Sequence, residues 1–232
     1  NAGVAVDELA RGMTNYYAGQ YGYAIEAFNR YIARTPSHDG QAHHFKALSL
    51  QMLERPQEAI AEWDALIRDH GKDRFWAAAW DEKAYTQWTQ LNQYSEASRT
   101  LLEFVRRSPQ SPEAPSYLYE AARILERNNK LVEAAPIWER AMTEYPASEW
   151  GFRSLLLAGV TYYRIPDYPK ALTVFQRAAA LSAEPGEQSA AYLWIGKVQQ
   201  AQGDTISART SWEVAAQRDP TGYYSERAGE ML

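Results

Sequence analysis

The sequence has 232 residues, 46% of them hydrophobic, which is enough for one ordinary domain or two small ones with a sizeable core. Its 29 acidic and 24 basic residues give a formal net charge of −5, which argues against a nucleic-acid binder that works by neutralising phosphates. The absence of cysteine excludes disulfides and thiolate metal sites. No apolar run approaches the roughly 18 residues of a membrane span, and the chain starts at Asn1 without a signal-type basic segment, so we expect a processed or excised segment.

A repeat runs through the chain from its first residues to its last. Six segments carry an alanine followed four residues later by a large apolar residue, and these alanines advance by 35, 38, 37, 37 and 37 residues. In chain order the pairs are Ala24 and Phe28, Ala59 and Trp63, Ala97 and Leu101, Ala134 and Trp138, Ala171 and Phe175, and Ala208 and Trp212. A small residue also recurs about 16 positions before each large one, at Gly12, Ala47, Ala84, Ala122, Gly159 and Gly196.

Helix breakers divide the chain into pairs of helix-length stretches. They stand at Pro36, Gly71, Pro109, Pro146 and Pro220, with the fifth repeat offset to Pro185. Polar, glycine or proline residues before each second stretch suit a tight turn, so each repeat is predicted to be a helical hairpin. The small residues let the two helices approach closely, and the large residue fills the space between neighbouring helices.

This pattern resembles the tetratricopeptide repeat, whose usual length is about 34 residues. The resemblance implies an all-α fold, a right-handed α-solenoid of about six helical hairpins with a C-terminal capping helix, and it covers nearly the whole chain. We expect one solenoid over residues 1–232, with a bend, if there is one, in the proline-containing stretch 106–116. In the helix after Pro220, Tyr223 and Tyr224 are expected to cover the apolar end, each burying its ring.

The sequence offers no pattern for chemistry of its own. His38, Asp39, His43 and His44 lie close together, but two adjacent histidines point about 100° apart on a helix and the spacing matches no known site, so we predict no metal and no cofactor. Phosphate-binding loops and nucleophile elbows are absent. Four tryptophans fall at packing positions and are predicted to be core residues: Trp63, Trp80, Trp138 and Trp212.

In arrays of this family the first helices of the hairpins line a concave face, so residues one turn from the small positions are candidates for binding. In the first half these are Tyr17, His44, Gln51, Tyr85 and Trp88. In the second half they are Tyr119, Arg123, Arg127, Arg153, Tyr163, Arg164 and Lys197, which include five cations. This basic half is predicted to bind an anionic or carboxylate-bearing partner. The alternative is that the arginines pair with neighbouring glutamates such as Glu120 and Glu126.

The last quarter, Ala190 to Leu232, resembles the end of the helical superstructure of bacterial soluble lytic transglycosylases. The matching positions are Tyr192, Trp194, Gly196, Lys197, Gly203, Asp204, Ala208, Trp212, Tyr223 and Tyr224. Such enzymes cleave peptidoglycan with a glutamate that usually lies in a Glu-Ser dipeptide, and this chain has no Glu-Ser dipeptide. No catalytic residue is therefore assigned.

Two functions follow as expectations. In the first, the chain is the non-catalytic region of a lytic transglycosylase, located in the cell envelope, and it positions peptidoglycan strands or protein partners for a catalytic domain that follows in the same parent chain. In the second, it is a free-standing scaffold that binds extended peptides, similar to the tetratricopeptide proteins of outer-membrane assembly. Neither function involves nucleic acid or a membrane span.

Overall fold

The computed structural model describes residues 7–232, and within them it contains helices and no strand. The helices are α1 (Glu8–Tyr17), α2 (Tyr21–Arg34), α3 (Gln41–Met52), α4 (Pro56–Asp69), α5 (Trp76–Gln90), α6 (Tyr94–Arg107), α7 (Ala114–Arg127), α8 (Leu131–Glu144), α9 (Glu149–Arg164), α10 (Tyr168–Leu181), α11 (Pro185–Ala201), α12 (Thr205–Arg218) and α13 (Tyr223–Gly229). The first twelve form six antiparallel hairpins, α1 with α2 through α11 with α12, so the predicted all-α solenoid is confirmed.

In three hairpins a glycine of the first helix directly faces a large residue of the second, at Gly12, Gly159 and Gly196. A Cβ atom added at Gly12 would lie 2.4 Å from Cε1 of Phe28, and one added at Gly196 would lie 2.3 Å from Nε1 of Trp212. The six repeating large residues are at most 5% exposed, and the six alanines that precede them are fully buried. These contacts and burials agree with the predicted packing, and the four tryptophans that were predicted to be core residues, Trp63, Trp80, Trp138 and Trp212, are all buried.

The turn inside a hairpin uses a residue with positive φ. Gly19 and Gly203 adopt φ of 71° and 86°, while Glu54 and Asn129 occupy the same place in their hairpins with φ of 56° and 55°. After α11 the N–H of Asp204 donates to the carbonyl of Gln199 at 2.9 Å. The positive φ turns the chain back at once, so that N–H groups just after the first helix can donate to carbonyls that the helix end leaves without a partner. The connection between the two helices can therefore be short.

By contacts between Cα atoms, the chain divides into unit 1 (Asn1–Glu113, described from residue 7) and unit 2 (Ala114–Leu232). Unit 1 contains α1 to α6 and unit 2 contains α7 to α13. The division falls inside the stretch 106–116, where the prolines predicted a bend if one occurs. A single continuous solenoid remains a prediction.

The short helix α13 closes the apolar end of unit 2. Tyr224 packs against the cluster formed by Leu193, Trp212 and Ala215, and Ala228 is fully buried. Ser225 Oγ donates to the carbonyl of Ala215 at 2.7 Å. The expected burial of Tyr223 is wrong, since the residue is 67% exposed, with its ring 5.2 Å from that of Tyr224. A seven-residue helix presents one side to the core, so two adjacent tyrosines cannot both face it.

None of the helices in residues 7–232 is both long enough and apolar enough to cross a membrane.

Candidate functional site

The basic candidates of unit 2 lie on its first helices α7, α9 and α11, as the repeat predicts. We call the residues Tyr119, Arg123, Arg127, Arg153, Tyr163, Arg164 and Lys197 the basic surface of unit 2. Six of them, all except Arg127, fall into three groups of contacts, and each group also includes a residue that the sequence analysis did not assign to the site.

Glu126 holds two of the arginines. Arg123 Nη1 donates to one carboxylate oxygen of Glu126 at 2.6 Å, and Arg164 Nη1 donates to the other at 2.8 Å. The Glu126 side chain is only 15% exposed, whereas those of Arg123 and Arg164 are 34% and 42% exposed. Burial disfavours the charged form of Arg123, but the hydrogen bond and the charge of Glu126 outweigh burial and raise its pKa. Part of the alternative interpretation, pairing with Glu126, is therefore realised.

The pairing does not use up the hydrogen-bonding capacity of the two arginines. A guanidinium has five N–H donors, and each arginine gives one of its donors to Glu126 in the bonds described above. Two positive charges share the carboxylate of Glu126, and the negative charge of Glu120 also acts on Arg123. The carboxylate thus fixes both guanidinium groups while leaving N–H donors at the exposed surface.

Arg153 lies over aromatic rings. Its guanidinium carbon is 5.4 Å from the ring centroid of Tyr119 and 6.0 Å from that of Trp150. Tyr119 is only 4% exposed and also contacts Trp138 edge to face, so it belongs to the core and supports Arg153 from beneath. Arg153 itself is exposed and forms no ion pair within residues 7–232, so its charge remains available.

Lys197 sits in a similar setting on α11. Its Nζ is 4.4 Å from the ring centroid of Trp194, and that ring also contacts those of Tyr163 and Phe175 at centroid distances of 5.6 Å and 5.7 Å. Lys197 has no carboxylate partner in the described part of the chain. Burial, followed by the positive charge of Arg227, lowers the pKa of Lys197. An amine that is partly desolvated and close to another cation favours an incoming anion.

Arg127 completes the basic surface. It is exposed in the last turn of α7, one residue after Glu126.

The candidates in unit 1 are aromatic rather than basic. Tyr17 and Tyr85 are 73% and 51% exposed, which is unusual for such large rings. Tyr85 contacts Trp88 edge to face at 5.8 Å, and Tyr17 lies 6.2 Å from Phe45. These residues present ring surface on α1 and α5.

His44 does not belong to this surface. It is 8% exposed and stacks on Phe75 with ring centroids 4.2 Å apart and planes 14° apart. Burial lowers the pKa of His44 to about 4; Asp73 acts in the opposite direction and Arg74 adds to the lowering. A neutral ring packed in this way is part of the interior, so the prediction of His44 as a binding residue is wrong.

Two carboxylates on α5 were missed by the sequence analysis. Burial raises the pKa of Glu82, which accepts a hydrogen bond from Gln51 Nε2 at 3.3 Å. The side chain of Asp81 reaches the surface, but the protein around it limits its contact with water, and this partial desolvation raises the pKa of Asp81. Both residues lie before the small position Ala84, whereas the predicted binding residues of this repeat, Tyr85 and Trp88, lie after it. They make this part of unit 1 unsuitable for an anionic ligand.

A cleft of about 730 Å³ also lies in unit 1, lined by residues of α4, α5 and α6. Its charges are paired with one another, as shown by Lys83 Nζ to Asp64 Oδ1 at 2.6 Å and Arg107 Nε to Glu103 Oε1 at 2.7 Å. Arg107 additionally covers the ring of Trp80 at 5.2 Å. Charges that are mutually satisfied give a ligand little to bind, so this cleft is a weaker candidate than the basic surface of unit 2.

A family model described as tetratricopeptide repeat matches residues 9–74 and 83–149, more than half of the chain. No curated protein matches the chain. Among solved structures, the chain is similar to YrrB, a tetratricopeptide repeat protein described as having an unusual peptide-binding site, with 18% identity, a TM-score of 0.52, and coverage of 89% of this chain and 100% of that one.

The chain is also similar to a putative kinesin light chain of Podospora anserina with nearly identical repeats, at 16% identity, a TM-score of 0.51, and coverage of 79% and 97%. These likenesses show the fold. Neither description names a lytic transglycosylase, so the resemblance of Ala190 to Leu232 to that family gains no support from them.

Proposed function

The chain belongs to the tetratricopeptide repeat family, and on that premise we propose that it is a scaffold that binds an extended, carboxylate-bearing protein segment on the basic surface of unit 2. The observation that carries the proposal is the arrangement of Arg123 and Arg164 on one partly buried carboxylate, Glu126. The pair is held in place and still has N–H donors that Glu126 does not use. Bidentate contacts to a second carboxylate are the interaction that such a site favours.

The two cations on aromatic rings extend this site. Arg153 over Tyr119 and Lys197 over Trp194 are fixed by ring contacts rather than by carboxylates. Their charges are therefore free to pair with acidic side chains of a ligand, and Tyr163 adds apolar area beside them. A peptide is supported as the ligand class by the fold itself and by the description of YrrB as a protein with a peptide-binding site.

The proposal is tested with a fluorescein-labelled peptide of alternating glutamate and tyrosine, compared with the same peptide carrying glutamine in place of glutamate. Fluorescence anisotropy should show tighter binding of the glutamate peptide and weakening by salt, because exposed charges are screened. The double variant Arg153→Gln and Lys197→Gln should bind the glutamate peptide at least about tenfold more weakly, since a charged hydrogen bond contributes on the order of 1.5 kcal/mol.

The matched control is Arg209→Gln, which removes an exposed arginine from the second helix α12, where Arg209 pairs with Glu213 at 3.3 Å. This variant should bind the peptide as the unmodified chain does. Equal affinity for the glutamate and glutamine peptides, or no effect of the double variant, would refute the proposal.

A second candidate is the non-catalytic helical region of a cell-envelope lytic transglycosylase, which would place peptidoglycan on the same surface. The favouring observation is that Trp194 and Lys197, both in the stretch that resembles those enzymes, form one of the cation–ring contacts. Muramic acid and stem peptides carry carboxylates, as the site requires. Reading the gene past Leu232 tests this candidate: a lysozyme-like domain with a Glu-Ser motif supports it, and a stop codon at that point refutes it.

Binding experiments separate the two candidates further. Soluble muropeptides with and without stem peptides should compete with the labelled peptide if peptidoglycan is the ligand, and should not compete if only protein segments bind. In either case, we expect no anhydromuropeptides from purified peptidoglycan incubated with this chain, because no catalytic residue is assigned. Their release would show that the chain carries an active site.

A further inference from the structure

Three of the four histidines meet in unit 1. His38 lies in the connection between α2 and α3, His43 lies in the first turn of α3, and His70 follows the last residue of α4. Their ring centroids are 5.1 Å, 4.9 Å and 5.5 Å apart. One ring nitrogen of each lies within 4.8 Å of a ring nitrogen of the other two. His44, adjacent to His43, points instead into the core against Phe75.

Hydrogen bonds fix the protonated nitrogen on two of these rings. Nδ1 of His43 lies 2.7 Å from a carboxylate oxygen of Glu62, and that carboxylate also accepts from Lys46 Nζ at 2.7 Å, so it is an ionised acceptor. Nδ1 of His38 lies 2.8 Å from the carbonyl oxygen of Asp39. Because a carboxylate and a carbonyl can only accept, Nδ1 is the donor in both rings. In the neutral form of each ring, Nε2 is therefore the nitrogen without a proton, and its lone pair can bind a metal.

The pair formed by His43 and Glu62 is the arrangement found behind metal-bound histidines. A carboxylate that accepts from the second ring nitrogen orients the imidazole and raises its basicity as a ligand. Glu62 is 16% exposed and His43 is 11% exposed, so the pair is protected from solvent. No hydrogen bond joins the three histidine rings to one another in residues 7–232, so nothing within the cluster uses these lone pairs.

We propose that His38, His43 and His70 form a binding site for a divalent transition-metal ion of the Zn²⁺ class, with Glu62 as the residue that positions His43. Three imidazoles with an open fourth position suit Zn²⁺, Co²⁺ and Ni²⁺, whereas Mg²⁺ and Ca²⁺ require oxygen ligands. Metal–nitrogen bonds of about 2.05 Å place the ligand nitrogens of a tetrahedral ion about 3.3 Å apart. Ring nitrogens that lie up to 4.8 Å apart in the structure must therefore approach one another by up to about 1.5 Å. His38 in the loop and His70 at the helix end can supply that movement by rotation of their side chains, while Glu62 holds His43 in place.

The site is independent of the proposed peptide-binding function, since all of its residues belong to unit 1 and none to the basic surface of unit 2. It connects the segment before α3 to the end of α4. Binding of a metal should therefore stabilise unit 1 in addition to filling the site.

The test uses the chain freed of metal with a chelator and then titrated with Zn²⁺ in a calorimeter. We expect one Zn²⁺ per chain, no binding of Mg²⁺ at the same concentrations, and an increase in the melting temperature on addition of Zn²⁺. Co²⁺ should give the intense visible absorption of a four-coordinate complex. The variants His38→Gln, His43→Gln and His70→Gln should each bind at least about 50-fold more weakly, because each loses one of three protein ligands.

Two further variants separate a metal site from general effects on folding. Glu62→Gln keeps all three ligands and should weaken Zn²⁺ binding by about 10- to 100-fold through the orientation of His43. His44→Phe removes the one histidine outside the cluster and should leave Zn²⁺ affinity unchanged. Circular dichroism checks that each variant is folded. Absence of saturable Zn²⁺ binding, or equal binding by the unmodified chain and by a variant lacking all three histidines, would overturn the proposal.

Discussion

Replacing Gly159 with alanine should destabilise unit 2, although alanine is the better helix former. A Cβ atom at this position would lie 2.5 Å from Cε1 and 2.7 Å from Cδ1 and Cζ of Phe175. Carbon atoms normally pack at about 3.5–4.0 Å, so the ring or the helix must move by about 1 Å. Phe175 is fully buried and cannot turn away. Overpacking of this kind costs about 1–3 kcal/mol, while the gain in helix propensity is about 1 kcal/mol.

We expect an overpacking cost near the upper end of that range, about 3 kcal/mol, because three ring atoms are contacted at once, and the gain in helix propensity reduces the net loss to about 2 kcal/mol. For a chain of this size, this corresponds to a decrease in melting temperature of about 4–8 °C, measured by differential scanning calorimetry. Gly22→Ala is the matched control: it lies in the first turn of α2, and no atom lies within 4 Å of the added Cβ. It should leave the melting temperature unchanged or raise it slightly.

Phe175→Leu supplies a further test, since the smaller side chain leaves space for the added methyl group. The double variant should lose at least about 1 kcal/mol less than the sum of the two single variants. Two results would refute the idea that position 159 is glycine because of its contact with Phe175. One is that the losses of stability in Gly159→Ala and Phe175→Leu simply add in the double variant, and the other is that Gly22→Ala lowers the melting temperature as Gly159→Ala does.

Three other substitutions test separate features of the fold. The unmodified, metal-free protein should lose stability between about pH 6.5 and pH 4, because the pKa of His44 is lowered to about 4 in the folded state and the unfolded chain therefore binds more protons over this range. His44→Phe should reduce this loss by roughly 3 kcal/mol. Chemical denaturation at several pH values measures the difference. Glu54→Gly should raise the free energy of unfolding by about 0.5–1 kcal/mol, because glycine adopts the positive φ of this turn without strain; an unchanged urea midpoint would argue against it. Ser225→Ala should lower stability by about 1–2 kcal/mol, since the N–H of Asp219 loses its acceptor, and hydrogen exchange should show faster opening of α13; slower or equal exchange would contradict the anchoring role of Ser225.

The fold was predictable because it depends on spacing along the chain. The distance from a small residue to the large residue it faces, as from Gly159 to Phe175, is set by two helices and one short turn, all of which are local in sequence. The breakers mark the helix ends for the same reason: Pro36 and Pro146 each follow the last helical residue by two positions. Contacts that depend on where a side chain turns within the last helix were less predictable, as the exposed Tyr223 shows.

The ion pairs and side-chain clusters at the surface join residues that are far apart in the sequence. The pattern of small, large and breaking residues does not predict which of these side chains meet. Glu126 and Arg164 are 38 residues apart, close to one repeat, so a comparison of equivalent positions in successive hairpins would bring them together. His70 stands 27 positions after His43, and no repeat relation links the two positions. The predicted absence of a metal followed from considering one segment alone, within which adjacent histidines diverge. An antiparallel hairpin places the end of its second helix beside the start of its first, so a histidine immediately after α4 can lie near histidines around the start of α3. In chains of this family, candidate ligand sets should therefore be sought across neighbouring helix ends rather than within one segment.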